Sequence, residues 1–482
     1  MSSGSTLERP STALASRETG LHLLPHDSIG GVTGRMTAFP GRDDSTPGPV
    51  TDASKAGSNG LLAELEWRGI LHATTPGLPA RLDREPSVAG YIGFDPSAAS
   101  LHVGHLVPIF GLLRLQRFGG RPVALVGGGT GMIGDPSGRS SERNLLDRDT
   151  LETNVRGIRA QLERFLDFSP GRQGAVMVNN LDWLGELSLI DFLRDTGKHF
   201  TVPYMLAKDS VQVRLERGLS YTEFSYMLLQ AYDFAHLQRT MGVELQMGGA
   251  DQWGNITAGL ELIRRTSGEG GEGEPAHALA YKLLLSPSGT KFGKSEVGES
   301  IWLDPARTSP YAFYQYWFNQ DDLDVGTYLR WFTEFPRDRI EALEDDMARA
   351  PEGRPAQRAL AHDVTGRTHG SEAAVRAAAD SEAAFSTGPI DDPDVLRRLH
   401  EATGGFMFGP SAGSAGVAAL LADAGLFPSR GEARRTIAAG GVTVNGTRVT
   451  DPAFVPEPIA GEWLDVRIGK RRREIGRRQG SI

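Results

Sequence analysis

From Leu61 onward the apolar positions fall into regular periods. Leu61, Leu62, Leu65 and Ile70 have helical spacing, after which short apolar runs alternate with amphipathic stretches. Tyr91-Ile92-Gly93-Phe94 and Pro122-Val123-Ala124-Leu125-Val126 read as buried strands, each ending in Gly or Asp, with a helical stretch from Leu106 to Phe118 between them. Strand, helix and strand in this order predict a βαβ unit, hence a parallel sheet with its site at the strand ends. An acidic, glycine-rich loop, Gly268 to Pro275, separates a helix near Ile256 to Arg265 from an apolar run at Leu279 to Leu285. From Pro310 to about Phe385 the pattern is almost wholly helical, with Ala, Leu, Arg and Glu dominating. Gly404 to Gly416 reads as a flexible linker, and Val417 to Ile482 as a small α+β unit.

The first 58 residues carry Ser, Thr, Gly and Pro with no sustained apolar period, so they are expected to be disordered. Leu21-His22-Leu23-Leu24-Pro25 is too short for the core of a signal peptide, and a start at Met36 is an alternative. The 482-residue length fits about three domains. With no cysteine there is no disulfide, thiolate metal site or cysteine nucleophile, and no apolar stretch approaches the ~18 residues of a membrane span. A soluble, cytoplasmic protein is expected. The net charge of -9 argues against coating nucleic acid through bulk charge. It hides an asymmetry, because Ser429 to Ile482 has eleven Arg or Lys against six Asp or Glu.

Several motifs carry candidate chemistry. Gly129-Thr-Gly131-Met-Ile-Gly134 matches a dinucleotide-binding turn, with Asp149 or Glu152 as the ribose acid, but Asp135-Pro136 stops the helix that should follow. Glycines serving a tight turn against a ligand account for it better. His102-Val-Gly104-His105 opens the Leu106 helix, where free N–H groups, a positive dipole end and imidazole donors suit a nucleotide polyphosphate; capping histidines are the competing account. No acid or cysteine at matching spacing turns them into a zinc site. Pro108 requires the helix to begin within a turn of it, or to kink.

Ser220-Tyr-Thr-Glu223 is a capping box, and Tyr226, Gln230 and Asp233 then share one face of the helix it opens, as ligand-lining groups or as a solvated face. Lys291-Phe-Gly293-Lys294-Ser295 reads as an exposed loop whose lysines neutralise transition-state charge or merely decorate the surface. In the last segment, Ser429-Arg-Gly-Glu432 opens a helix carrying Arg434 and Arg435, and Val442-Thr-Val444, Asn445-Gly446 and Thr447-Arg-Val449 spell a hairpin with a type I′ turn.

Taken in order, Tyr91 to Pro96, Leu101 to His105, Gly128 to Gly138, Thr222 to Met227, Gly248 to Asn255 and Lys291 to Ser295 resemble the class I aminoacyl-tRNA synthetases, among them the bacterial tyrosyl enzymes. The C-terminal unit resembles an S4-type RNA-binding domain. The resemblance implies an α/β architecture: a Rossmann-like parallel-sheet catalytic domain over 59–304, an α-helical domain over 305–403, the linker over 404–416 and the S4-type domain over 417–482, after the extension 1–58.

The implied activity is ATP-dependent charging of tRNA(Tyr) with L-tyrosine by a homodimer, with Mg²⁺ on the ATP phosphates, no protein-ligated metal and no membrane partner. His102, His105, Lys291, Lys294 and Ser295 take the catalytic positions. Tyr91 and Asp233 take the phenolic hydroxyl; Asp135, Tyr226 and Gln230 the ammonium; Gln246 and Gln252 the aminoacyl group. Gly93, Asp95, Ser97, Gly104, Asp251, Gln252 and Lys294 join the two histidines around ATP, with Asp251 on the ribose; Arg139 and Arg143 either assist there or are surface charges. Arg430, Arg434, Arg435 and Lys470, with the Lys470-Arg-Arg-Arg473 run, are the implied RNA contacts. A hydroxyl read by paired hydrogen bonds rejects phenylalanine without an editing domain, a rule for which this family is the standing example. Two rivals are an S4-type RNA-binding protein with an inactive synthetase-like body and a nicotinamide-dependent oxidoreductase.

Overall fold

The computed structural model describes residues 60–135, 147–215, 218–267, 276–284, 292–293, 299–409, 416–469 and 472–480. Among these, no helix is long and apolar enough to cross a membrane. The extension 1–58, the alternative start at Met36, Arg139 and Arg143 lie outside them. The chain forms two compact units, one ending at Arg376 and the other beginning at Ala377.

The first unit is built on six strands: β1 Leu71–Thr74, β2 Ala89–Phe94, β3 Arg121–Val126, β4 Val176–Asn179, β5 Leu245–Gly249 and β6 His277–Tyr281. Their order is β1-β6-β5-β2-β3-β4; only β1 runs antiparallel to its neighbour. Chain order reverses between β2 and β5, so the connections leaving the carboxyl ends of β2 and β3 diverge from those of β5 and β6 and leave a crevice there. The two strands and the parallel sheet expected from the apolar runs are present.

The helix after β2 spans Leu106–Arg117 and buries Leu106, Ile109, Phe110 and Leu112. Pro108 is its third residue, where a backbone N–H has no partner within the helix, so the ring is accommodated. The helix opened by Ser220 runs Tyr221–Met241, with Ser220 Oγ accepting from the Glu223 amide at 3.2 Å and Gly242 closing it at φ 65°. Its apolar side packs Leu228, Ala231 and Phe234 with Tyr91, Val243 and Leu262.

The helices Pro310–Phe318, Asp322–Phe332, Arg337–Arg349 and Pro355–His369 follow in the same unit. Two buried arginines tie the sheet side to the end of the Asp322–Phe332 helix. Arg68 donates to the carbonyls of Arg330, Thr333 and Phe335, and Arg114 to those of Arg330, Trp331 and Thr333. Arg114 also pairs with Glu334 at 3.0 Å. These donors satisfy carbonyls that a helix C-terminus leaves open.

The second unit holds a five-stranded sheet, β7 Phe406–Phe408, β8 Val442–Val444, β9 Thr447–Val449, β10 Trp463–Ile468 and β11 Arg472–Arg478, in the order β7-β11-β10-β8-β9. Asn445 and Gly446 have φ 49° and 78°, the positive pair a type I′ hairpin requires. The helix Arg430–Ala438 begins at Ser429, as its capping box predicts.

The expected linker 404–416 needs correction. Phe406–Phe408 is a strand, parallel to β11, with Phe406 and Phe408 buried, while residues 410–415 lie outside the described set. The expected domain boundary at 403 also lies inside the second unit. The helix Pro393–Thr403 belongs to that unit, and residues 383–390 are pinned to its sheet. There the Arg473 guanidinium donates to the carbonyls of Ala383, Ser386 and Gly388, and Asp465 accepts from the Ile390 amide.

Candidate active site

The crevice at the carboxyl ends of β2, β3, β5 and β6 is a cleft of about 510 Å³. It brings together Tyr91, Gly93, Asp95, His102, Gly104, His105, Asp135, Tyr226, Gln230, Asp233, Gln246, Asp251 and Gln252, although they are spread over 162 residues of sequence. Ser97 is not among the lining groups. It is exposed, and its amide donates to the Asp95 carbonyl at 2.8 Å in the turn after β2. Lys291, Lys294 and Ser295 lie outside the described residues; Phe292 and Gly293, between the two lysines, are described, and Phe292 lines the cleft.

One end of the cleft is closed and buried. Asp233, 2% exposed, accepts from Asn180 Nδ2 at 2.8 Å on one oxygen and from Trp183 Nε1 at 2.7 Å on the other. Burial, with a smaller push from the charge of Asp95, raises its pKa to about 7 against the pull of those two bonds. The Tyr91 hydroxyl, buried and with no hydrogen-bond partner among the described residues, lies in the same end, and burial together with the Asp233 charge pushes its pKa up. Tyr91 is held by its ring, whose centroid is 5.4 Å from that of Phe234. Buried polar atoms without partners are uncommon, and here the oxygens Oε1 of Gln230 and Gln246 share that condition. Such a set calls for a ligand with its own donors and acceptors.

Asn180 and Trp183 are functional side chains that the sequence reading missed. Asn180 also donates its amide hydrogen to Thr130 Oγ1 at 3.0 Å and accepts from the Gly129 amide, so it fixes the turn after β3 and the carboxylate together. That turn is a short 3-10 segment over Thr130–Met132, and residues 133–135 after it are not helical, so the helix that a dinucleotide-binding turn opens does not start there. It delivers Asp135 to the cleft, where one carboxylate oxygen accepts from Gln252 Nε2 at 2.8 Å.

The His102–His105 turn also lines the cleft. His102 Nδ1 accepts from the Gly104 amide at 3.1 Å, and His105 Nδ1 accepts from the His102 amide at 3.2 Å. Each histidine therefore caps the turn, and with Nδ1 accepting, the proton of each neutral ring sits on Nε2. The capping account and the ligand-binding account describe the same residues: the cap fixes the tautomer that makes Nε2–H a donor. Among the described residues, no cluster of three His, Asp or Glu side chains is placed to hold a metal ion.

The C-terminal basic residues divide. Arg434 and Arg435 are exposed on their helix. Arg430, expected on RNA, pairs with Asp423 at 2.8 Å, because the turn between their helices brings the two ends together. The Lys470-Arg-Arg-Arg473 run, expected to contact RNA phosphates, also needs correction. Arg473 is 6% exposed and bidentate to Asp465, 1% exposed, because strand alternation turns it inward; Arg472 pairs with Glu474, and Lys470 lies outside the described residues.

Comparison with known proteins accords with this geometry. Residues 83–386 match the family model for tRNA synthetases class I (W and Y), and residues 417–458 match the S4 domain. The chain is 50% identical over 422 residues to a tyrosine–tRNA ligase of Roseiflexus castenholzii, covering 85% of this chain and 97% of that one. It is 50% identical over 421 residues to the tyrosine–tRNA ligase of Geobacillus kaustophilus, covering 86% and 98%. A crystal structure of a C-terminally truncated mitochondrial tyrosyl-tRNA synthetase from Coccidioides posadasii superposes with a TM-score of 0.58 at 32% identity, covering 66% of this chain and 91% of that one. With a parallel-sheet crevice lined by a histidine-capped turn, a match to the class I model over residues 83–386, an S4 match over 417–458 and 50% identity to curated relatives, the chain belongs to the tyrosine–tRNA ligases, within the class I tRNA synthetases of the W and Y group.

Proposed function

We propose that this chain activates L-tyrosine with ATP and transfers the tyrosyl group to the 3′ end of tRNA(Tyr). The observation that carries the reading is the buried end of the cleft. A phenolic hydroxyl entering there meets an acceptor in Asp233 and a hydroxyl partner in Tyr91, groups that phenylalanine leaves unpaired. Asp135, Tyr226 and Gln230 then face the ammonium, and Gln246 and Gln252 the carboxylate that reacts. Asp251 takes the ATP ribose, while Gly93, Asp95, His102, Gly104 and His105 border the phosphates.

The chemistry asks little of a general base, since the tyrosine carboxylate is already ionised at neutral pH. Its oxygen bonds to the α-phosphorus as the bond to the bridging oxygen of pyrophosphate breaks. The protein's part is alignment and charge stabilisation by the histidine Nε2–H donors and by Lys291, Lys294 and Ser295. Mg²⁺ on the ATP phosphates supplies charge neutralisation on the departing pyrophosphate. In the second step a ribose hydroxyl of the tRNA attacks the tyrosyl carbonyl and AMP leaves.

In this reading the enzyme is a cytoplasmic homodimer. Exposed apolar side chains along one stretch of chain, Leu189, Ile190, Leu193, Val202, Val213 and Leu215, support a self-association surface. The test of the reaction is amino-acid-dependent exchange of labelled pyrophosphate into ATP, run with each of the twenty amino acids and no tRNA. Exchange with tyrosine alone is expected. Silence from folded protein with Mg²⁺ present overturns the activity and leaves an RNA-binding protein.

A further inference from the structure

Gln252 meets the cleft with an amide whose two ends are alike in shape and opposite in hydrogen-bonding sense, so its neighbours decide which end a ligand meets. Three of them do so. Gln252 ends the 3-10 turn Ala250–Gln252 that follows β5, just ahead of the helix Trp253–Thr266. Its stem lies against the strand: a Cβ added to Gly248 would stand 3.2 Å from Gln252 Cβ and 3.6 Å from its Cγ. The stem is thereby held, and the remaining freedom is the flip of the terminal amide.

Asn255 lies three residues further on, in the first turn of the helix. Its Nδ2 donates to Gln252 Oε1 at 3.2 Å, while Gln252 Nε2 donates to Asp135 at 2.8 Å. One Nε2 hydrogen is thus committed to Asp135, and the second is left for a group in the cleft. The opposite flip would set Oε1 against the Asp135 carboxylate and Nε2 against the Asn255 amide nitrogen, acceptor on acceptor and donor on donor. Asn255 itself is 4% exposed, and of the two amides it is Gln252 that lines the cleft. Asp135 and Asn255 therefore impose the same flip from opposite sides. They differ once a substrate ammonium arrives: it draws on the acceptor capacity of Asp135, whereas the bond from Asn255 lies behind the cleft and keeps its hold.

We infer that Asn255 is a positioning residue for the carboxylate of tyrosine: by donating to Gln252 Oε1 it locks the Gln252 amide with its N–H donors toward Asp135 and the reacting carboxylate. A carboxylate oxygen held by a fixed donor is aligned for attack, whereas a flipped amide would present a lone pair to it. The inference rests on the reading that places the tyrosine carboxylate at Gln252.

The full-length protein is tested at pH 8 by tyrosine-dependent pyrophosphate exchange, by melting, and by equilibrium binding of tyrosine and of tyrosinol, which keeps the phenol and the ammonium but lacks the carboxylate. Asn255→Asp keeps the shape and replaces the donor with an acceptor. It is expected to turn the Gln252 amide round and lower kcat/KM for tyrosine by about 10- to 100-fold, with tyrosine affinity falling at least about threefold more than tyrosinol affinity. Asn255→Ala removes the donor without installing an acceptor, and a smaller loss of about 3- to 5-fold is expected, again on tyrosine more than on tyrosinol. The alanine variant alone carries the test if the aspartate variant does not fold. A merely structural role predicts the reverse order, the near-isosteric aspartate outperforming alanine, with tyrosine and tyrosinol binding falling together alongside the melting temperature. That result overturns the inference, as does Asn255→Asp with unsubstituted kinetics and binding. If the unsubstituted protein shows no exchange, the activation reaction is what has failed, and the contrast between tyrosine and tyrosinol binding in the two variants still decides for or against Asn255.

Discussion

Each unit of this protein buries an aspartate, and the two are held in opposite ways. Asp465, in the C-terminal sheet, meets the Arg473 guanidinium on both oxygens and accepts the Ile390 amide, and Arg473 spends its remaining donors on carbonyls of residues 383–388. Asp233, in the cleft, has two neutral donors and no cation. Burial therefore outweighs the pull of those two bonds, and its pKa rises to about 7. A paired, fully bonded carboxylate is finished as an interaction and holds structure. One bonded only by an amide and an indole keeps acceptor capacity for something that arrives later, at a cost to the stability of the empty protein.

The comparison breaks first if the Asp465 pair is expendable. Arg473→Met leaves a carboxylate buried without its cation, and the expected loss is about 3–5 kcal/mol in the C-terminal unit, read by thermal or denaturant unfolding. Tyrosine-dependent pyrophosphate exchange should persist while tRNA charging falls. An unchanged unfolding transition would show that the pair contributes nothing net.

Asp233→Asn carries the contrast next. The amide cannot be ionised, so folding stability at pH 8 is expected to hold or rise, whereas tyrosine affinity falls by about 10- to 100-fold. The pH dependence follows from the same shift. Between about pH 4 and 7 the folded protein keeps a proton on Asp233 that the unfolded chain has released, so raising pH through that window destabilises the tyrosine-free protein. Tyrosine donates its phenolic hydrogen to the ionised form, so its binding weakens as pH falls below about 7. Both slopes should vanish in Asp233→Asn, measured by melting and by tyrosine titration across pH.

Trp183→Phe is a smaller and sharper test. It removes one of the two bonds that hold the Asp233 pKa down, so the midpoint of tyrosine binding is expected to move to higher pH, with affinity at pH 8 reduced by about 3- to 10-fold. A midpoint that stays in place would mean that the indole orients the carboxylate without influencing its charge.

Local chemistry made one of these sites legible and hid the other. The capping box at Ser220 sets the register of the Tyr221–Met241 helix, and register alone puts Tyr226, Gln230 and Asp233 on one face. Asn180 and Trp183 are about 50 residues away, in a β4–helix junction with no periodic signal, and reach Asp233 only through the strand order. The Lys470–Arg473 run reads as a source of phosphate contacts because it is a run of cations; the alternation of β11 sends Arg473 inward to a partner eight residues earlier. Phe406–Phe408 was lost inside a Gly- and Ser-rich stretch, since three residues are too few to show a period. The type I′ turn and the capped helix of the same unit were legible because each is dictated by two to four adjacent residues.

The smallest expected effect concerns the surface that the corrected arginines leave for RNA. With Arg430, Arg472 and Arg473 committed to Asp423, Glu474 and Asp465, Arg434 and Arg435 are the exposed pair on the helix opened by Ser429. If each makes one phosphate contact, replacing either by alanine weakens tRNA binding modestly and lowers the slope of log affinity against log salt by about one. Arg430→Ala should do less, since its charge is already shared with Asp423. Exchange without tRNA should not respond to any of the three. Filter binding of tRNA over a series of salt concentrations separates the cases, and a larger slope change for Arg430 than for Arg434 would mean that RNA competes successfully for the guanidinium that Asp423 holds in the free protein.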